Sequence, residues 1–220
     1  MTDGGTAGGD EAPPLVAVFA DESCLGNGRQ GDNPGGAGVL VECLTQGTGA
    51  LLRRDLWVSE PATTNNRMAL RSAIEAFGAL SRRGRRCSVV FTSDSRYLID
   101  GMTSWVFNWM RRGWRKADGK PVENVELWQA AVAAASAHRV EWRWVRGHRG
   151  HVQNEYANHL ATMAAAEQSA SNGLLASRFD EWLEAQRAKG KMTGLPDEFP
   201  TRAGFAPGRA LPGRPAGRPQ

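Results

Sequence analysis

The stretch LVAVFAD, residues 15–21, decides the fold because it joins a short apolar run to an acidic residue. An uninterrupted run of six apolar residues is typical of a buried strand, and it is far too short to cross a membrane. The segment 23–38 that follows is rich in Gly, Asn and Pro and therefore predicts a loop. We expect a central strand over Leu15–Ala20 that presents Asp21 at its end.

The rest of the domain alternates between strand-like and helix-like patterns. The predicted elements are strands over Leu15–Ala20, Val39–Glu42 and Leu51–Val58, a helix that begins after Thr64 or Asn65, a strand over Arg86–Thr92, helices over Ser95–Met110 and Val125–Ala137, a strand over Arg139–Val145 and a helix over Asn154–Glu167. This order predicts an α/β fold in which a five-stranded mixed sheet is flanked by helices.

Composition divides the chain into four segments. Residues 1–13 contain no Lys or Arg and predict a disordered acidic leader, which argues against a secretion signal. Residues 14–167 form the expected domain, and 168–200 form an extension in which Ser177–Ala188 has the pattern of a short amphipathic helix. Residues 201–220 are dominated by Pro, Gly, Ala and Arg, so we expect a disordered tail.

The formal net charge of +4 is less informative than its distribution. The stretch from Arg111 to Lys120 holds five cations against one acid, Asp118, and such a cluster attracts phosphate groups. A second arginine cluster, at 82–86, lies between a helix and a strand, where a solvated turn is the alternative interpretation. Three cysteines without paired ligand spacing indicate a reducing cytoplasm, and we expect a monomer that does not enter membranes.

Acids at two strand ends are the candidate metal ligands. Asp21 ends the first predicted strand, and Asp94 follows the fourth. Carboxylates at the same edge of a sheet can share a divalent cation, and Mg²⁺ prefers hard anionic oxygens. Two isolated aspartates are weak evidence alone, so the sequence around them decides what they do.

Several short motifs surround these acids in a defined order. They are Cys24-Leu25-Gly26-Asn27, Thr63-Thr64-Asn65-Asn66-Arg67-Met68, Thr92-Ser93-Asp94-Ser95, the Trp- and Arg-rich stretch from Trp105 to Arg115, Trp144-Val145-Arg146-Gly147-His148, and Asn154-Glu155. On these motifs the chain resembles the type 1 ribonuclease H family over residues 15–166. The resemblance implies an RNase H-like fold that binds RNA–DNA hybrids. It also implies endonucleolytic hydrolysis of the RNA strand with two Mg²⁺ ions held by four carboxylates.

Two of the four acids that the resemblance implies are replaced in this chain. Asp21 and Asp94 match the first and third acids, whereas Ala69 and Asn158 stand at the second and fourth positions. Ala69 offers no ligand atom, and Asn158 offers only a neutral carbonyl oxygen. His148 matches the mobile loop histidine of the family. We therefore expect Asp21, Asp94 and His148 as the catalytic set, with weakened or single-site binding of Mg²⁺ or Mn²⁺ by the two aspartates and Asn158.

Three other acids are candidates to replace the missing ones. Glu22 is adjacent to Asp21 on an extended segment, so we expect its side chain to point away from the site. Glu75 lies off the helical face of position 69. Glu155 lies one helical turn before Asn158 and can reach the site, although a capping or structural role is the alternative.

The substrate-binding apparatus that the resemblance implies is largely present. Its short polar side chains suit contacts to sugar and phosphate across a minor groove, although turn and cap chemistry also explains them. The expected substrate-binding residues are Cys24, Asn27, Thr64, Asn65, Asn66, Ser95, Arg111, Arg112, Arg115 and Lys116. The last four belong to a basic protrusion in which Trp105 and Trp109 are expected to pack.

Three functions are consistent with these observations. The first is a hybrid-binding RNase H domain whose cleavage is strongly reduced or lost because of Ala69 and Asn158. The second is an active, divalent-metal-dependent ribonuclease H that works with a reduced set of carboxylates. The third is a non-catalytic scaffold for protein contacts, against which the retained phosphate-contact residues argue.

Overall fold

The computed structural model describes residues 12–26, 33–82, 84–147 and 150–212. These residues form one sheet with helices on both faces. The strands are β1 (Leu15–Cys24), β2 (Gly35–Leu44), β3 (Leu51–Glu60), β4 (Ser88–Ser93), β5 (Arg139–Trp144) and β6 (Leu175–Ala176). The helices are α1 (Asn65–Ser81), α2 (Arg96–Asp100), α3 (Val106–Arg111), α4 (Val125–Ser136), α5 (Val152–Glu167) and α6 (Phe179–Ala188).

The sheet is mixed, and its strand order is β5-β4-β1-β2-β3-β6. β1 pairs antiparallel with β2 and parallel with β4, which in turn pairs parallel with β5. The predicted α/β class is confirmed, but the predicted count of five strands is wrong. The sixth strand, β6, pairs with β3 through Arg54 and Asp55. It was missed because two residues cannot show the alternation that marks a strand.

Side-chain alternation along β1 creates two separate cores. Val16, Val18 and Ala20 pack with α1 and α4 on one face, while Ala17 and Phe19 pack with α5 and α6 on the other. Helix α5 lies directly on β2, because a Cβ at Gly36 or Gly38 would overlap the backbone of α5. Because both faces are covered, functional groups on β1 must lie at an end of the strand.

The predicted helix over Ser95–Met110 is interrupted in the structure. A π-helical turn, Gly101–Trp105, separates α2 from α3. Gly101 lies against Trp128 of α4, since a Cβ at position 101 would overlap the indole ring. Trp109 also packs against Trp128, with ring centroids 5.4 Å apart. Trp109 therefore packs in the interior as predicted, while Trp105 is 37% exposed.

The C-terminal extension packs against the domain. Helix α6 lies within the segment where the sequence predicts a short amphipathic helix, and Phe179 and Leu183 are its buried residues. Residues 201–212, expected to be disordered, instead contact β5, where the backbone N–H of Gly208 donates to the carbonyl oxygen of Val140 (2.9 Å). The unpaired edge of β5 offers hydrogen-bonding groups that composition alone does not reveal. Across the described residues, none of the helices is both long and apolar enough for a membrane span.

Asp55 of β3 connects the extension to the domain. This buried carboxylate accepts hydrogen bonds from the hydroxyls of Tyr156 (2.6 Å) and Ser177 (2.6 Å) and from the backbone N–H of Arg178 (3.1 Å). The bonds join β3 to α5 and to the segment before α6. Hydrogen bonds that a carboxylate accepts are stronger than those between neutral groups.

We expect Tyr156→Phe to lower the free energy of unfolding by about 2 kcal/mol, because it removes a donor from a buried carboxylate. Urea denaturation measures the change. Tyr97→Phe is the matched control, because the Tyr97 hydroxyl accepts hydrogen bonds from two neutral donors, Asn124 and Trp128. This variant should lower the free energy of unfolding by about 1 kcal/mol. An equal or smaller loss in Tyr156→Phe than in Tyr97→Phe would contradict the role assigned to Asp55.

Candidate metal centre

The parallel pairing of β1 with β4 brings two acids to one edge of the sheet. Ala20 is in register with Ser93, so the residues that follow them, Asp21 and Asp94, lie side by side. The structure thus brings together the two aspartates that the strand-end argument selected. Asp21 is buried, and Asp94 is half-buried.

Glu22 joins this pair. One ligand oxygen from each of Asp21, Glu22 and Asp94 lies within 4.8 Å of the other two. The expectation that Glu22 points away from the site is therefore wrong. Alternation does place Glu22 on the opposite face of β1 from Asp21. The pairing of β1 with β4 ends at Ala20 and Ser93, however, so the long side chain of Glu22 can reach past the end of β4 to the neighbouring carboxylates.

Ala69 lies on the same side of the sheet as Glu22. Its side chain is fully buried in the core cluster that contains Ala20, two residues before Glu22 on β1. An acid implied at position 69 would therefore approach from α1 on the face where Glu22 already carries a carboxylate. The adjacent acids Asp21 and Glu22 were the sequence signal for a carboxylate on this face. Strict alternation along the strand predicted instead that Glu22 points away from the site.

Hydrogen bonds hold Asp21 in place. The backbone N–H of Glu22 donates to Oδ1 of Asp21 (2.7 Å), and the side-chain amide of Asn154 donates to Oδ2 (3.0 Å). Asn154 lies on α5, so this second bond joins the helix to the strand end. The sequence singled out Asn154 as part of a motif but gave it no role.

Burial and mutual repulsion make these carboxylates hard to ionise. Burial raises the pKa of Asp21 to about 8, with a further rise from the charges of Asp94 and Glu155. Burial also raises the pKa of Glu22 well above its usual value, and the nearby Asp21 and Asp94 add to the effect. The side chain of Ser95 opposes part of this rise by a hydrogen bond to Glu22. A positive charge among the three groups would relieve the repulsion.

The residues present fit a divalent cation. Three carboxylates supply the hard oxygen ligands that Mg²⁺ and Mn²⁺ prefer. Among the described residues, Oε2 of Glu22 and Oδ1 of Asn154 are buried and have no hydrogen-bond partner. Buried polar atoms are normally satisfied, so these two atoms favour a ligand at this position. Asn158 lies one turn after Asn154 on α5 and is half-buried, and its part as a neutral ligand stays a prediction.

Gly147 is required beside the cluster. It follows β5, and a Cβ at this position would overlap Oδ2 of Asp94. The Asp94 carboxylate therefore lies against the backbone of Gly147. His148, the expected loop histidine, is outside the described residues, as is Asn27.

The other expected substrate contacts form two groups. Thr64 caps α1 by accepting a hydrogen bond from the N–H of Arg67 (3.3 Å), as predicted, while Asn65 is half-buried and Asn66 is exposed. Cys24 lies close to Thr63, because both contact the position where a Cβ of Gly35 would stand. Burial raises the pKa of the Cys24 thiol to about 11. The end of β1 and the start of α1 are therefore neighbours.

The basic residues of the protrusion differ in whether their side chains bond to other groups of the protein. Arg111 donates to Asn108 (2.5 Å), Arg115 donates to the carbonyl of Gly119 (2.9 Å), and Lys116 forms an ion pair with Glu123 (2.7 Å). Arg112 is exposed at the end of α3. The part of this group in nucleic-acid binding stays a prediction.

Comparison with known proteins identifies the family. The family model described as RNase H matches residues 13–166. The ribonuclease H of Afipia carboxidovorans is 44% identical over 154 residues, which cover 70% of this chain and 95% of that protein. The ribonuclease H of Halorhodospira halophila is 47% identical over 153 residues, which cover 70% and 94%. The chain belongs to the ribonuclease H family.

Solved structures agree with this assignment. The crystal structure of LC9-RNase H1, described as a type 1 RNase H with the type 2 active-site motif, is 59% identical with a TM-score of 0.86. The match covers 96% of this chain and 100% of that chain, so it includes much of the C-terminal extension. The solution structure of the PFV RNase H domain, at 16% identity and a TM-score of 0.58, shares the fold.

Without a metal ion, we expect Asp21→Asn to stabilise the protein increasingly as the pH rises. The folded-state pKa of about 8 lies above the usual 3.8, so ionisation of Asp21 costs stability progressively between these two pH values. Each pKa unit corresponds to about 1.4 kcal/mol, and after local relaxation we expect an advantage of about 2 kcal/mol at pH 8.5 over pH 5.

Urea denaturation in EDTA at several pH values measures this effect. Asp118→Asn is the control, because Asp118 is exposed on the basic stretch and should show no such trend. A difference between Asp21→Asn and the parent protein that does not change with pH would refute the buried-carboxylate account.

Proposed function

We propose that this chain is an active, divalent-metal-dependent ribonuclease H that hydrolyses the RNA strand of RNA–DNA hybrids. The observation that supports this proposal most strongly is the third carboxylate, Glu22, beside Asp21 and Asp94. The expectation of strongly reduced or lost cleavage rested on Ala69 and Asn158, which stand at the second and fourth acid positions. With Glu22 in the cluster, the ligand set contains three acids instead of two.

LC9-RNase H1 provides a second line of support. It is described as a type 1 RNase H with the type 2 active-site motif, and it is 59% identical to this chain. A type 1 domain can therefore carry an active-site motif other than its own type's. We propose that this chain also departs from the type 1 active-site motif and that Glu22 supplies the carboxylate that is missing at position 69.

In this proposal Asp21, Glu22 and Asp94 hold Mg²⁺ or Mn²⁺, with Asn158 as a neutral ligand at the edge of the site. A metal held by these residues would supply Lewis-acid chemistry, which favours ionisation of a water molecule and stabilises negative charge on the leaving oxygen. Asn154 orients Asp21 through its amide, and Gly147 leaves room for the Asp94 carboxylate. His148 remains the proposed proton carrier or product-release residue.

Nucleic acid would bind through two groups of residues. The polar side chains at the start of α1, Thr64 to Asn66, suit contacts with the 2′-hydroxyls of the RNA strand. The basic protrusion after α3 suits the phosphates of the DNA strand. Cytoplasmic location and a monomeric state complete the proposal, and neither is needed for the site to work.

Glu22→Gln should reduce cleavage of an end-labelled RNA–DNA hybrid at least about a hundredfold in Mg²⁺ or Mn²⁺, because it removes a ligating charge while keeping the side-chain shape. Glu155→Gln makes the same chemical change at the other candidate acid. Glu75→Gln, on an α1 residue paired with Arg71, controls for loss of a glutamate elsewhere.

The three variants separate the possible outcomes. The proposal requires that the parent protein cleaves and that only Glu22→Gln is strongly impaired. Cleavage that depends on Glu155 and not on Glu22 would show that the third carboxylate comes from α5. An inactive parent that still binds the hybrid would make this chain a binding module with a disabled site.

Arg112→Ala should flatten the salt dependence of hybrid binding. Each phosphate contact contributes about −0.9 to the slope of log K against log salt concentration, so loss of one contact should change the slope by about 1. Binding is measured in the Glu22→Gln background to prevent cleavage. Arg187 lies on the exposed side of α6, so Arg187→Ala is the control and should leave the slope unchanged. An unchanged slope in Arg112→Ala would show that Arg112 is not part of the binding surface.

A further inference from the structure

Trp144 is a large aromatic side chain in an exposed position. It is the last residue of β5, in register with Ser93 and therefore next to Asp94. Its side chain is 39% exposed, and it belongs to neither of the two core clusters, unlike the neighbouring Trp142. Core packing does not explain why a tryptophan stands here.

Two polar contacts fix the orientation of the Trp144 ring. Its indole N–H donates to the backbone carbonyl oxygen of Asp94 (3.0 Å). The guanidinium carbon of Arg96 lies 3.7 Å from the ring centroid, which is the geometry of a cation–π contact. Arg96 also lies 3.8 Å from the carboxylate of Asp100 on the next turn of α2. The Trp144 ring is thus held between the backbone carbonyl of Asp94 and the guanidinium group of Arg96.

The last residue of β5 and the loop that follows it restrain Asp94 at its backbone and at its carboxylate. Trp144 bonds its backbone, and Gly147 lies against its carboxylate. β4 ends at Ser93, so Asp94 lies in the turn that follows the strand. The indole bond restrains this turn, from which the carboxylate projects.

We propose that Trp144, oriented by Arg96, is a positioning residue that holds Asp94 in the geometry required for metal binding. The proposal rests on the function proposed above, in which Asp94 is a metal ligand. Residues that orient a metal ligand by hydrogen bonds commonly change metal affinity tenfold or more when they are replaced. Trp144 therefore acts on metal affinity through Asp94.

The test is the affinity of the full-length protein for Mn²⁺ alone, measured by isothermal titration calorimetry without nucleic acid. Trp144→Phe keeps an aromatic ring for Arg96 but removes the N–H donor, and we expect about tenfold weaker binding. Trp105→Phe is the matched control, because Trp105 is exposed to a similar degree, 37% against 39%. It should bind Mn²⁺ like the parent protein.

A second variant and a stability measurement complete the test. Arg96→Gln leaves the indole bond in place and removes only the cation, so we expect a smaller loss, about threefold. Thermal melting should give similar midpoints for Trp144→Phe and Trp105→Phe, which separates a positioning effect from general destabilisation.

Each outcome has a definite meaning. Parent-like Mn²⁺ affinity in Trp144→Phe overturns the inference while leaving the metal site intact. Equal weakening in Trp105→Phe also overturns it, because the effect would then not depend on the bond to Asp94. Failure of the parent protein to bind Mn²⁺ overturns the proposed metal site and this inference together.

Discussion

Repulsion among three carboxylates at the end of β1 is the constraint on which the rest of the site depends. Ligand oxygens of Asp21, Glu22 and Asp94 lie within 4.8 Å of one another, and burial makes the ionisation of Asp21 and Glu22 costly. The hydrophobic cores on both faces of the sheet stabilise this arrangement, because β1 cannot shift without disrupting both. The fold therefore holds close together three acidic groups that would separate in an unfolded chain. A bound cation relieves the repulsion among them, and this relief favours cation binding.

A carboxylate can reach the same place from two different elements. The family resemblance implies an acid on α1 at position 69, where this chain has a fully buried alanine. Glu22 reaches the cluster from β1, on the face that α1 covers. In the proposed site, an acid on the strand takes the place of an acid on the helix, and its position in the sequence changes accordingly. A motif search that expects the acid at one position would regard such a site as incomplete.

Much of the fold and about half of the site could be predicted from the sequence. Apolar runs and helical spacing gave the order of the main elements, and Asp21, Asp94 and the Thr64 cap followed from their places at element ends. Glu22 was set aside because alternation places it on the opposite face of β1 from Asp21, but beyond the end of β4 its long side chain can reach the cluster. The two-residue β6 and the contact of Gly208 with β5 were missed because both depend on the free edges of a sheet, which no local pattern records.

The central claim is that Glu22 is a metal ligand, and a crystal of the protein soaked in Mn²⁺ tests it most directly. Anomalous scattering locates the ion independently of any activity. The account predicts a Mn²⁺ peak at direct coordination distance from carboxylate oxygens of Asp21, Glu22 and Asp94. A peak coordinated by the two aspartates and Glu155, with Glu22 turned away, would contradict it.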